Sequence, residues 1–187
     1  AAREIVSVTI PHATARDRAT LETLDSTICI RLNLLAESVA CARRAGALFG
    51  VDLPTAPAEI ARQIALELGI IMAAVAETPV ERWIDLPTMT DPNMLAAMAM
   101  LANSCPAAYQ IEPSLMVLIC TKQVTLSLRH GNCGASASGY ATLSIVLWEL
   151  GQAAMGFRFA ELGVELVRRL DARAVAPLVE FTFATFA

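Results

Sequence analysis

Apolar residues recur at helical spacing along almost the whole chain, and proline and glycine cut that pattern into helix-length segments with very short links. A chain written this way has few options beyond antiparallel helices packed neighbour on neighbour. The spacing predicts a first clear helix from about Thr14 to Asn33, with Leu21, Leu24, Ile28, Leu32 and Leu35 as its apolar stripe and Asp17 near its first turn. A second helix runs from Leu35 to Phe49 and ends at Gly50, a suitable C-cap. After the Pro54 and Pro57 turn, a third spans Ala58 to Glu77, and Val80 to Ile84 forms a short helical piece. Asp91 followed by Pro92 starts another helix, which Pro106 is expected to stop near Asn103 or Ser104. Further helices are expected at Pro113 to Arg129, Ala135 to Leu150, Gln152 to Leu170, and Ala172 to the C-terminus. No strand is convincing. Ile5 to Ile10 is β-branched, and residues 1–12 read as irregular or partial helix.

Composition narrows the function classes. The chain has 187 residues, 56% apolar, 17% charged and 5% aromatic, with net charge -4. Its mean hydropathy is +0.54. Disorder needs low hydrophobicity and high net charge, so it is excluded. Scattered arginines and a sequence pI near 5.2 leave no basic footprint for nucleic acid. The uncharged runs Pro92 to Ile111 and His130 to Trp148 are broken by Asn, Ser, Pro, Gln and Gly, so neither reads as a membrane span. The first residues, Ala-Ala-Arg-Glu, lack the pattern of a signal peptide. Five cysteines without a C-x-x-C pair point to free thiols in the cytoplasm.

Two stretches share a helical-hairpin pattern. Tyr140, Leu143, Ser144, Leu147, Gly151, Gly156, Ala160 and Gly163 fall at tetratricopeptide spacing, with small residues where paired helices cross. A weaker copy runs from Glu22 through Ser26, Asn33 and Ser38 to Ala45. The fold expectation is therefore all-α: about eight helices in a right-handed stack of antiparallel, tetratricopeptide-like hairpins, forming one domain over residues 1–187.

Several phrases occur in a telling order: Leu48 to Pro54, Leu86 to Pro92, Leu126 to Asn132, Ser136 to Tyr140, Gly156 to Ala160 and Asp171 to Arg173. From Ala13 onward the chain resembles the helical region of large bacterial multi-domain signalling kinases. In that family a serine/threonine kinase domain and an ATPase domain precede this region, and a GAF sensor and a histidine kinase or other output module commonly follow. The resemblance implies a scaffold that relays signals between ATPase and output, with other domains of the same protein as partners. It carries no catalytic residue, and the chain reads as an excised piece of something longer or as a stand-alone remnant.

The catalytic inventory agrees with a non-enzyme. No phosphate-binding G-x-x-x-x-G-K-[ST] loop, H-R-D or D-F-G set, or G-x-S-x-G elbow is present. His12 and His130 are far apart in sequence, so no metal site and no cofactor are expected. One constellation remains, His130-Gly131-Asn132-Cys133-Gly134-Ala135-Ser136. A His beside a Cys can activate a thiolate, which defines a thiol-enzyme alternative; otherwise the stretch is an interhelical turn with Ser136 capping the next helix. Met89, Met94, Met98 and Met100 read as core packing, as do Trp83 and Trp148. Glu161, Glu165, Arg168 and Arg169 read as a solvated face. On the last helix, Val175, Val179, Phe183 and Phe186 form a candidate face for a partner or a second copy, since terminal repeats ordinarily carry a polar outer face. A further alternative is a small-molecule site in an apolar cavity between the uncharged helices of Pro92 to Trp148.

Overall fold

The computed structural model describes residues 2–10 and 15–186. Among them are nine α-helices and a 3-10 helix. The α-helices are α1 (Ala2–Thr9), α2 (Ala15–Arg31), α3 (Leu35–Phe49), α4 (Pro57–Glu77), α5 (Pro92–Ile111), α6 (Pro113–His130), α7 (Gly134–Glu149), α8 (Ala153–Leu170) and α9 (Ala176–Phe186). The 3-10 helix is Val80–Asp85. No strand occurs among the described residues; Thr88 and Asn132 make one isolated parallel bridge. The chain is all-α. Within 1–12, Ala2–Thr9 is a regular helix, while His12 lies outside the described residues.

Three hairpins pack in chain order. The α2–α3 pair rests on α5 through α3, α5 pairs with α6, α6 meets α7, and α7 pairs with α8. Helix α4 lies on α6, the 3-10 helix on α8, and α9 closes the far end against α7 and α8. Two cores result, and α6 feeds both. Leu115, Leu118 and Ile119 join Val39, Ala42, Ala45 and Leu101 in the first. From another face of the same helix, Cys120 and Val124 join Tyr140, Leu143, Leu147 and Phe159 in the second.

Helix α5 does not stop before Pro106 but continues to Ile111. An internal proline costs about 3 kcal/mol, because it lacks the N–H and crowds the previous turn. Here Cys105 just before it and Ala107 and Ala108 beyond it are buried in the first core, and burial offsets the break. The start is as expected, with Asp91 accepting from the Asn93 amide at 2.8 Å and Pro92 in the first turn. Trp83 is buried, its indole N–H donating to the Thr78 carbonyl. Trp148 is instead 49% exposed, so it is no core anchor.

The predicted stripe on α2 is only partly covered: Leu21, Ile28 and Leu35 are half-buried. Leu24 and Leu32 are 48% and 58% exposed, and the buried face is Ala19, Glu22, Asp25, Ser26 and Cys29. Apolar periodicity locates a core only where apolar residues fill it. Paired charges and thiols fill this one.

Candidate functional site

The α2–α3 and α7–α8 hairpins turn in the same way. Asn33 and Gly151 take the left-handed conformation, with φ of 58° and 74°. The amides of Leu34 and Gln152 reach back to the carbonyls of Cys29 and Leu147, each at 2.8 Å. Counting outward from these turns pairs the two interiors residue by residue. Ser26 matches Ser144, and Ser38 matches Gly156, at the helix crossing. In the first hairpin the two serine hydroxyls lie 2.9 Å apart. In the second, a Cβ on Gly156 would stand 2.8 Å from the Ser144 carbonyl oxygen.

The remaining pairs diverge. Tyr140, Leu143, Leu147, Phe159 and Leu162 line the C-terminal hairpin, and Glu22, Asp25, Cys29, Cys41 and Arg44 occupy the matching positions in the N-terminal one. Trp83 completes the apolar set, 5.4 Å from the Phe159 ring and 6.3 Å from Tyr140. The polar set is completed by α1, whose Arg3 donates to Asp25 at 3.2 Å. Arg44 grips Glu22 with two hydrogen bonds of 2.9 and 2.8 Å and donates a third to the Cys41 sulfur at 3.1 Å. The Cys41 thiol donates to Asp25 Oδ2 at 3.2 Å. Cys29, Cys41 and Asp25 are all buried, with ligand atoms within 4.8 Å of one another. Burial, with the Asp25 carboxylate as the next cause, pushes the Cys41 thiol up to about 12 and raises Cys29 in the same direction. Both thiols are therefore protonated at neutral pH, and two carboxylates balance two guanidiniums.

This cluster was missed in the sequence because its members are spread over two helices and contain no histidine and no C-x-x-C pair. The usable signal was the repeat itself: polar residues stand where the stronger copy has Tyr, Leu and Phe.

The His130 to Ser136 stretch is built as a turn. Cys133 N–H donates to Ser136 Oγ at 3.0 Å, closing the start of α7, and Ser127 donates to the same oxygen at 2.7 Å. Gly131, at φ 93°, lies so close to Pro87 that an added Cβ would collide with its carbonyl oxygen. Asn132 ties three elements together: its amide donates to Pro87 O, its side chain to Trp83 O at 2.7 Å, and Tyr140 OH donates to its Oδ1 at 2.9 Å. Cys133 is buried against Met89 and Met98. His130 is exposed, and among the described residues no hydrogen bond joins it to Cys133. The arrangement orients an aromatic core.

Part of the candidate face on the last helix packs inward. Val179 is fully buried and Val175 half-buried against α7 and α8, while Phe183 packs on Phe157 with ring centres 6.0 Å apart. The Phe186 side chain lies outside the described residues. The apolar residues that α9 does expose are Leu178 and, at 66%, Phe181. A groove of about 360 Å³ lies beside it, with Ile84, Leu162 and Phe183 flanked by Glu81, Arg158 and Glu165. It is lined by residues of the 3-10 helix, α8 and α9, outside the Pro92 to Trp148 stretch. No helix among the described residues is long and apolar enough to cross a membrane. All five cysteines are free and buried. Comparison with protein-family models, with curated proteins and with solved structures gives no match to this chain.

Proposed function

We propose that this chain is a non-enzymatic helical scaffold, a tetratricopeptide-like right-handed stack that relays signals within a larger cytoplasmic signalling protein of the kinase and ATPase type. The observation that carries this reading is the continuity of packing through α6, which contributes buried residues to both cores. Two of the phrases behind the resemblance, Leu86 to Pro92 and Leu126 to Asn132, also meet in space, where Met89 N–H donates to Asn132 O at 2.8 Å. Their residues serve architecture rather than chemistry, as a scaffold requires. A helix shared by two cores lets a partner at one end bias packing at the other, which is the physical content of a relay.

The test is a cavity placed in the shared helix. Leu118→Ala removes a fully buried side chain, and amide exchange followed through the whole chain reads where protection is lost. The scaffold reading expects faster exchange in α3 and in α7 together; loss confined to one of them removes the relay. Alkylation of Cys133 in the native chain supplies the second arm. Slow labelling is expected of a buried, cap-forming thiol, whereas rapid reaction at neutral pH restores the enzyme alternative. A homodimer through α9 would use Leu178 and Phe181, and sedimentation of Phe181→Glu at high concentration tests that partner directly.

A further inference from the structure

We propose that Asp25, Cys29 and Cys41 form a binding site for one soft divalent cation of the zinc class, held between α2 and α3. This inference is independent of the scaffold reading.

Three observations lead to it. The same hairpin is built at α7–α8 with Leu143, Leu147 and Phe159 at these positions, so the fold does not require polar groups there. Burying charges and thiols in place of such residues forgoes apolar stabilisation. The donor chemistry is selective as well: two sulfurs and one carboxylate oxygen suit zinc-like cations better than magnesium or calcium. Finally, the spacing is close to what coordination needs. Tetrahedral Zn–S bonds of about 2.3 Å place two sulfurs about 3.8 Å apart. The three ligand atoms already lie within 4.8 Å of one another, and Cys41 Sγ is 3.2 Å from Asp25 Oδ2. Small side-chain rotations close the remainder, and water can take the fourth position.

Charge balance favours the exchange. With both thiols protonated, Glu22 and Asp25 neutralise Arg3 and Arg44. Entry of a divalent cation with loss of both thiol protons leaves the cluster equally neutral: each S–H bond breaks, its electron pair goes to the metal, and the two protons pass to solvent. Arg44 then remains where it stands, its N–H directed at the Cys41 sulfur as an outer hydrogen bond to a thiolate ligand. Entry is available, because the Arg44 and Arg3 side chains that cover the cluster are 53% and 37% exposed.

The experiment uses the full chain, reduced and stripped of metal, titrated with Co(II) as a spectroscopic probe and with Zn(II) against a chromophoric chelator. One Co(II) per chain with sulfur-to-metal charge-transfer absorption is expected. About two protons should be released per metal, so affinity falls about 100-fold for each pH unit lowered. Cys29→Ala with Cys41→Ala abolishes the absorption, and Cys105→Ala and Cys133→Ala leave it intact. Asp25→Asn, which keeps the shape of the site and is the variant to use should the double alanine fail to fold, weakens binding at least about 10-fold. Absence of charge-transfer absorption in the reduced wild-type chain overturns the proposal. So does absorption that persists in a folded double-alanine variant, or binding that is independent of pH.

Discussion

The two outer hairpins, α2–α3 and α7–α8, share a turn, a crossing and a set of buried positions, and they fill those positions with opposite chemistry. At α7–α8 the inner residues are Tyr140, Leu143, Leu147 and Phe159, closed by Trp83. At α2–α3 they are Glu22, Asp25, Cys29 and Cys41, closed by Arg3 and Arg44. The backbone of a helical hairpin is thus set by small crossing residues and a left-handed turn, while the interior is free to be apolar or polar. Apolar filling stabilises. Polar filling of the same volume adds little net stability, because desolvation offsets the ion pairs, and it concentrates reactive groups instead.

The sharpest way to break this comparison is to truncate matched residues. Phe159→Ala should cost about 3–5 kcal/mol, and Cys41→Ala at the matching position about 1 kcal/mol, read as midpoints in urea. Equal losses would mean that both interiors carry the same share of stability. Next is the crossing. Gly156→Ser places on α8 the residue that α3 carries at Ser38, and the Cβ meets the Ser144 carbonyl oxygen at 2.8 Å. A loss of about 1–3 kcal/mol is expected, and a neutral result would show that the second hairpin is as loosely spaced as the first. A smaller effect belongs to the turns. Asn33→Gly should stabilise by about 0.5 kcal/mol and Gly151→Asn destabilise by a similar amount, since both positions are left-handed.

The last prediction concerns pH. Cys41 has a folded pKa of about 12, above the value of about 8.5 for a free thiol. Below about 8.5 both states hold the proton and stability is unaffected; above it the unfolded chain loses the proton first, so stability falls as pH rises toward 12. Wild type should therefore lose more of its urea midpoint between pH 8.5 and pH 11 than Cys41→Val does. Parallel slopes would mean that the thiol is not insulated from water.

Much of the helix pattern was legible from sequence, and the reason is local. Pro57, Pro92 and Pro113 sit in first turns, and Gly50 and Gly151 end helices where only the left-handed conformation continues the chain. What sequence misplaced depended on neighbours. Pro106 stops an isolated helix, yet α5 continues because Ala107 and Ala108 are buried against other elements. Trp148 looks like a core residue until the direction of α7 turns it to solvent. Leu24 and Leu32 look like a buried stripe until Glu22, Asp25 and Cys29 claim the inner face. At the His130 turn, the hydrogen bonds of Asn132 and Ser136 that fix its geometry depend on Trp83, Tyr140 and Ser127 from other elements. The polar cluster was out of reach because pairwise proximity across two helices is a property of packing.

Native-state amide exchange in low urea tests most directly whether one hairpin geometry carries two unlike interiors. The slowest amides of α7 and α8 should exchange only with global unfolding, while those of α2 and α3 open at lower free energy because their interior buries less apolar surface. Exchange of all four helices at a single free energy, with one shared dependence on urea, would contradict the account.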